Sequence, residues 1–406
     1  MSASAYEKLR IIAAVVFVGF LAGLLYCFIH WEDGYPFNTF LFKPTDRFMD
    51  FFNTFRVAAD PYREVSFGSG YFPMSYILLR IFNLLPEQAA LYCLLGLFSA
   101  TMLFSGKFFA KANNVKSYVC VCAVCLFSYA YLFLCDRGNT EMIMFMLLLA
   151  FYISFMKEKD GLAAFFLAMA ACCKIYPAVL GVLFLKEKRW RGAILSVVFG
   201  VILMLASGIA CGLLDPERMQ VFFLSQEGFN ENIALTGAMY QHGHSFFAMV
   251  RIIMEEYAIM IPALEDILIN GVSQMLMVYM GFMVLSIVGI TLWILKSSMP
   301  LWKIVFLAVT MMTFLPHVSF DYTLVHLMPP LFLFVAHEDE TIAGKFDKLY
   351  AVLFALLLIP MNWMRINVFY FADIGLILRP LIVILFIIMF AYESRAANSA
   401  VKAQTA

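Results

Sequence analysis

The chain has 406 residues, 63% of them hydrophobic and 14% charged, with 28 basic against 28 acidic side chains and a mean hydropathy of +0.86. A soluble domain of this length carries far more charge, so water is excluded as the main solvent, and zero net charge without a basic stripe excludes nucleic acid as a partner. The expected fold is an all-α polytopic membrane protein, a single integral domain over 1–406 surrounded by membrane lipids.

Apolar runs follow one another at 9–29, 88–104, 118–135, 140–156, 161–173, 176–185, 192–214, 272–295, 302–315, 322–336, 349–361 and 374–392, about 12 in all. Several are shorter than the roughly 20 residues that cross about 30 Å of hydrocarbon, so some are expected to borrow flanking residues or to be broken helices. Basic residues precede the first run and no small-x-small cleavage pattern follows it, which predicts a retained anchor. In alternate gaps stand Lys8 and Arg10, then Lys107, Lys111 and Lys116, then Lys157 and Lys159, then Lys186, Lys188, Arg189 and Arg191, then Lys296, then Lys345 and Lys348, and finally Arg395 and Lys402. The basic residues of the other gaps, Lys43, Arg47, Arg56, Arg63, Arg80, Arg137, Lys174, Arg218, Arg251, Arg365 and Arg379, are spread over longer loops in which charge bias means less. Basic residues prefer the cytoplasmic side, so both termini are expected there, in a multi-pass protein of the cytoplasmic (inner) membrane. Two gaps on the outward side are long, 30–87 and 215–271. In the first, Phe48, Phe51, Phe52 and Phe55 recur at helical spacing and 74–85 suits an interfacial helix; in the second, 246–257 repeats the pattern.

Neither G-x-G-x-x-G nor G-x-x-x-x-G-K-[ST] occurs, so a nucleotide-driven enzyme or pump would need a partner chain. Cys120, Cys122 and Cys125 sit inside an apolar run and read as small buried residues. The residues able to do chemistry gather in the outward gaps: Asp50, the turn Asp136-Arg137-Gly138-Asn139, Lys174, His244 and the stretch 317–321. Asp50 is the candidate general base, in competition with Asp33, Asp46 and Asp60; Asp60 precedes Pro61 as a turn former would, and Asp46 beside Arg47 reads as a solvated pair. Lys174, between two apolar runs, needs an anion or a carboxylate for company, and Arg137 and Arg251 are the other candidates for contacting an anion. Asn139 is either a substrate contact or a helix cap. His317 and Asp321, four apart, would share a face if that stretch were helical, giving a hydrogen-bonded imidazole and carboxylate. His326 reads as a core hydrogen-bonding residue. No cofactor is expected; His242, His244 and His317 leave a divalent metal as the alternative, without the H-E-x-x-H spacing that would support zinc.

The order Asp50-Phe51, Asp60-Pro61-Tyr62, Tyr71-Phe72-Pro73, Arg137-Gly138-Asn139, Lys174-Ile175-Tyr176-Pro177, His244-Ser245 and 316–322 resembles the polyprenyl-phosphate-sugar-dependent glycosyltransferases of family 87, within the GT-C fold class. The resemblance covers about residues 9 to 336. It implies a GT-C-like bundle of about 12 transmembrane helices with interfacial helices in the outer loops, and an inverting enzyme that takes a sugar from a polyprenyl phosphate. Asp50 falls on the family's catalytic Asp. Lys174 to Pro177 matches its Lys-x-Tyr-Pro, whereas its Asn-Gln-Ser pattern is here His242-Gly243-His244-Ser245.

The expected function is therefore transfer of a sugar from a polyprenyl-phosphate donor to a glycan or glycolipid acceptor at the outer, periplasmic face. Asp50, His317 and Asp321 are the expected catalytic residues and Lys174, Arg137 and Arg251 the phosphate contacts. Asn139, Tyr176, His244, Ser245 and Tyr71 are the expected substrate contacts. A transporter or flippase of a lipid-linked saccharide is the alternative, and would need a polar path to the cytoplasmic side; a polyprenyl-diphosphate-glycan ligase is the nearer one.

Overall fold

The computed structural model describes residues 1–65, 71–258, 260–261, 267–268, 271–338, 346–361, 365–367 and 372–405, the side chains of 365–367 and 397–405 excepted. Parts of both long gaps between apolar runs, 66–70 in the first and 259, 262–266 and 269–270 in the second, lie outside the described residues.

Each apolar run carries helix. In chain order the helices are α1 (Ala3–Ile29), α2 (Met49–Ala58), α3 (Pro73–Phe82), α4 (Glu87–Phe109), α5 (Val115–Phe127), α6 (Tyr129–Arg137), α7 (Glu141–Met156), α8 (Asp160–Cys173), α9 (Val182–Lys186), α10 (Trp190–Ala210), α11 (Pro216–Phe229), α12 (Phe246–Ala258), α13 (Val272–Lys296), α14 (Leu301–Thr313), α15 (Met328–Ala336), α16 (Asp347–Leu357) and α17 (Gly375–Thr405). Among the described residues the only sheet is a short antiparallel pair, Arg365–Asn367 with Ala372–Asp373.

Five helices, α1, α4, α10, α13 and α17 to Ala396, are long and apolar enough to cross a membrane alone, and α5 with α6 would make a sixth span bent by 48°. The chain is a membrane protein. The remaining runs are short or broken, for local reasons. At Ser128 the backbone is extended and the hydroxyl accepts from Tyr131 N at 3.4 Å, so α6 starts afresh instead of continuing α5. The run at 176–185 opens as a 3₁₀ segment, Tyr176–Gly181, with Pro177 at its start. The run at 322–336 opens with seven 3₁₀ residues, Asp321–Leu327, before α15, whose first turn holds Pro329 and Pro330.

One large core joins α1, α4, α7, α8, α14, α15 and α16. Lipid tails are as apolar as leucine, so such helices cohere by close packing and polar pairs. Aromatic rings supply much of the packing: Phe306 lies 4.3 Å from Phe386, and Trp302 4.9 Å from Phe334, centroid to centroid. By contrast only 11% of the most apolar stretch of α10 and 6% of that of α13 is buried, which leaves these two helices facing lipid. Charges inside the bundle are paired. Lys8, 2% exposed, donates to the carbonyls of Phe334 and His337 and sits 3.2 Å from Asp347, while Lys303 pairs with Glu393.

These pairs mark one end of the bundle. The helix α14 begins beside Lys303 and ends at a cavity that Met312 helps to line, and α15 runs from beside that cavity down to Lys8. The cavity therefore lies at the opposite end.

Candidate active site

The cavity is built outward from the turn after α6. Gly138 ends that helix in the left-handed conformation (φ 64°), its N–H donating to the carbonyls of Leu134 and Cys135. A Cβ there would lie 2.8 Å from Phe51 Cβ, so glycine is needed both for the turn and for the close approach of α2. Asp136 ties the preceding loop to the same turn: its carbonyl accepts from Phe48 N at 2.7 Å and its carboxylate from Phe42 N at 3.3 Å, with Arg47 3.5 Å away. Asp50, in the first turn of α2, is thereby brought against the turn. Arg137 donates to one carboxylate oxygen of Asp50 and to the Asp46 carbonyl (3.1 Å), and Asn139 Nδ2 donates to the other oxygen (2.7 Å) and to the Tyr71 hydroxyl (3.1 Å). A carboxylate has about four lone-pair sites. The two hydrogen bonds to its side chain leave acceptor capacity on Asp50.

Next to it stands a second charged group. Glu141, fully buried at the start of α7, receives Lys174 Nζ at 2.5 Å and the Tyr176 hydroxyl on one oxygen, and lies 2.9 Å from His326 Nε2 with the other. Lys174 follows the last residue of α8 in extended conformation, with the rings of Tyr71, Tyr322 and Tyr176 centred 5.2, 5.6 and 6.0 Å from Nζ. Burial alone would push Lys174 toward the neutral amine; the Glu141 carboxylate, helped by Tyr71 and Asp50, outweighs it and holds the ammonium above the ordinary lysine range. The cation is thus permanent, and three aromatic faces favour it.

The cavity has a volume of about 950 Å³. Seven of the residues singled out in the sequence line it: Asp50, Tyr71, Arg137, Asn139, Lys174, Tyr176 and His317. Four do not, against expectation. Asp321 is not on a shared helical face with His317, because Pro316 to Phe320 is irregular and the 3₁₀ turn begins only at Asp321. Its carboxylate points inward, 3.0 Å from His244 Nδ1, accepting from Arg379 (2.7 Å) and the Tyr129 hydroxyl (2.9 Å), and both Asp321 and His244 are fully buried. Ser245 caps α12, accepting from Ala248 N at 3.0 Å and donating to the His317 carbonyl. Arg251 is held by the carbonyls of Ala234, Leu235 and Thr236, which leaves its guanidinium clamping the chain before α12 instead of facing the cavity.

Two charged partners were not singled out beforehand, Glu141 and Arg379. A glutamate in the first turn of a helix is ordinary dipole and capping chemistry, so only its burial distinguishes it. Arg379 carried a signal that was legible, a base beside Pro380 inside an apolar run. His242 also lines the cavity, at a positive φ of 58°, its ring 4.7 Å from that of Phe133; it is fixed there by the Asp321 N to His242 O bond (2.8 Å) and the Gly243–Phe320 bridge.

The sequence model of glycosyltransferase family 87 matches residues 70–317, more than half of the chain. The chain belongs to glycosyltransferase family 87. The family match thus takes in the cavity wall from Tyr71 to His317, while Asp50 precedes it and Asp321 and Arg379 follow it. Comparison with curated proteins and with solved structures gave no match. For this family 87 protein the cavity is the candidate site of glycosyl transfer.

Proposed function

We propose that this glycosyltransferase moves a sugar from a polyprenyl-phosphate donor to a hydroxyl of a glycan or glycolipid acceptor, with inversion at the anomeric carbon, at the outer face of the cytoplasmic membrane. The observation that carries the reading is the presence in one cavity of a carboxylate with acceptor capacity, Asp50, and a permanent cation, Lys174, at one end of a membrane-embedded bundle. In the reaction Asp50 takes the proton of the acceptor hydroxyl as its oxygen bonds to the anomeric carbon. The bond from that carbon to the phosphate oxygen breaks, and polyprenyl phosphate leaves with the electron pair. Arg137 and Asn139 hold the base in place, and Lys174 stabilises the charge that grows on the leaving phosphate. The outward orientation rests on the distribution of Lys and Arg between the gaps.

The test is to incubate purified protein with a panel of polyprenyl-phosphate sugars and nucleotide sugars and to identify products by mass. Transfer from a polyprenyl-phosphate sugar is expected, slowed at least about 100-fold in Asp50→Asn with donor binding kept. Transfer from nucleotide sugars alone, or near-normal turnover in the Asn variant, would overturn the donor class or the base respectively.

A further inference from the structure

The charge in the cavity is unevenly placed. Among the described residues its charged lining, Asp50, Arg56, Arg137 and Lys174, belongs to α2, to the C-terminal end of α6 and to the residue after α8. The lining contributed by 226–242 and 316–320 contains no Asp, Glu, Lys or Arg; it offers the amides of Gln226, Asn230 and Gln241, the ring of Phe229 and the imidazoles of His242 and His317.

The local fold aims some of these groups deliberately. Beyond Phe229, α11 widens into a π-helical turn, Asn230–Ala234, closed by Leu235 N donating to the Asn230 carbonyl at 3.1 Å. A π turn re-registers the side chains of a helix and is frequent at functional sites. Here it sets Asn230 Oδ1 3.3 Å from His317 Nε2. Gln226 stands four residues earlier, on the same helical face. Its amide nitrogen, Nε2, is shut off from solvent and has no hydrogen-bond partner among the described residues. A buried amide donor left unmade is a cost to the folded chain, and because Gln226 lines the cavity a rotation of its side chain toward a ligand hydroxyl or ring oxygen would remove it. Burial also lowers the His317 pKa, so the imidazole is neutral at neutral pH and both donates and accepts.

Sugar hydroxyls are themselves donors and acceptors, and a pyranose presents C–H faces that pack on aromatic rings. Amides and a neutral imidazole beside Phe229 match that surface, and nothing in this lobe would neutralise an anion. We infer that Gln226, Asn230 and His317 form the acceptor subsite, and that it takes an uncharged pyranose, leaving the charged lobe to the donor's phosphate. The assignment of donor and acceptor to the two lobes rests on the function proposed above.

The experiment uses the full chain in lipid nanodiscs, free of sugar detergents, and measures binding of two probes separately: methyl and n-octyl hexosides for the neutral lobe, and sugar-free C55 polyprenyl phosphate for the charged one. Gln226→Leu loses no side-chain hydrogen bond seen among the described residues, and Asn230→Ala serves as a second variant. At least about a tenfold weakening of hexoside binding in both, with polyprenyl-phosphate affinity unchanged, is expected, since a site built to hydrogen-bond a hydroxyl discriminates through that bond. Hexoside binding that is absent from the wild type, or unaltered in both variants, overturns the subsite; so does a loss of polyprenyl-phosphate binding in their place. Failure of the wild type to bind polyprenyl phosphate removes the proposed donor instead, and the hexoside arm then decides the subsite alone.

Discussion

Among individual residues, Lys174 shows how a structural and a binding role are separable. Its ammonium neutralises the fully buried Glu141, and removing one partner of a buried ion pair costs about 3–5 kcal/mol because the other is left uncompensated. Lys174→Met is therefore expected to lower thermal stability by roughly that amount. Pairing it with Glu141→Gln removes the stranded charge and is expected to recover most of the stability. Binding of polyprenyl phosphate is the discriminating measurement: if Lys174 meets the phosphate, the stable double variant still binds it poorly. Wild-type affinity and turnover in the double variant would take Lys174 out of the donor site. That Lys174 needed an anionic neighbour followed from its place between two apolar runs; that the neighbour is Glu141 did not, because the two come together only when α7 and α8 pack side by side.

Among the elements, the turn after α6 is the joint on which the site depends. It holds α2 through Phe48, Phe42 and Arg47, and it carries both Arg137 and Asn139 to Asp50. Gly138→Ala would place a side chain at φ 64° and 2.8 Å from Phe51 Cβ, a combined strain of about 1–3 kcal/mol that α2 can relieve by moving away. The expected result is a folded, less stable protein whose transfer rate falls at least about tenfold, since a base displaced by an ångström loses its geometry. Transfer at the wild-type rate with unchanged thermal unfolding would show that the turn does not position Asp50. Helices α3 and α12 fall close to 74–85 and 246–257, because a stripe of large apolar residues at a 3.6-residue period marks a helix with one buried face. The π turn after α11 has no such mark in the sequence.

For the molecule as a whole, the charge distribution predicts which end faces outward. In a chain whose nine cysteines have been replaced, single cysteines near Glu64 and Arg218 should react with an impermeant thiol reagent added to intact cells, and one near Lys188 should not. Labelling near Lys188 in sealed cells would turn the protein over and put the cavity on the other side. The geometry makes the test sharp, since Lys8 and Lys303 mark the end of the bundle opposite to the cavity.

Composition and hydropathy alone determined that this is a helical membrane protein, because the free energy of placing apolar runs in hydrocarbon is nearly additive along the chain. The ordered motifs from Asp50 to Tyr176 also carried the family, since residues tied to one chemistry keep their order whatever the surrounding helices do. Which of those residues share a cavity was decided only by the tertiary structure. Asp321, His244 and Arg379 look as reactive in the sequence as Asp50, Lys174 and Arg137; packing seals the first three into a buried network and opens the others to a cavity. Solvation and distance distinguish a structural ion pair from a candidate catalytic one, and both are properties of the folded bundle that no spacing along the chain records.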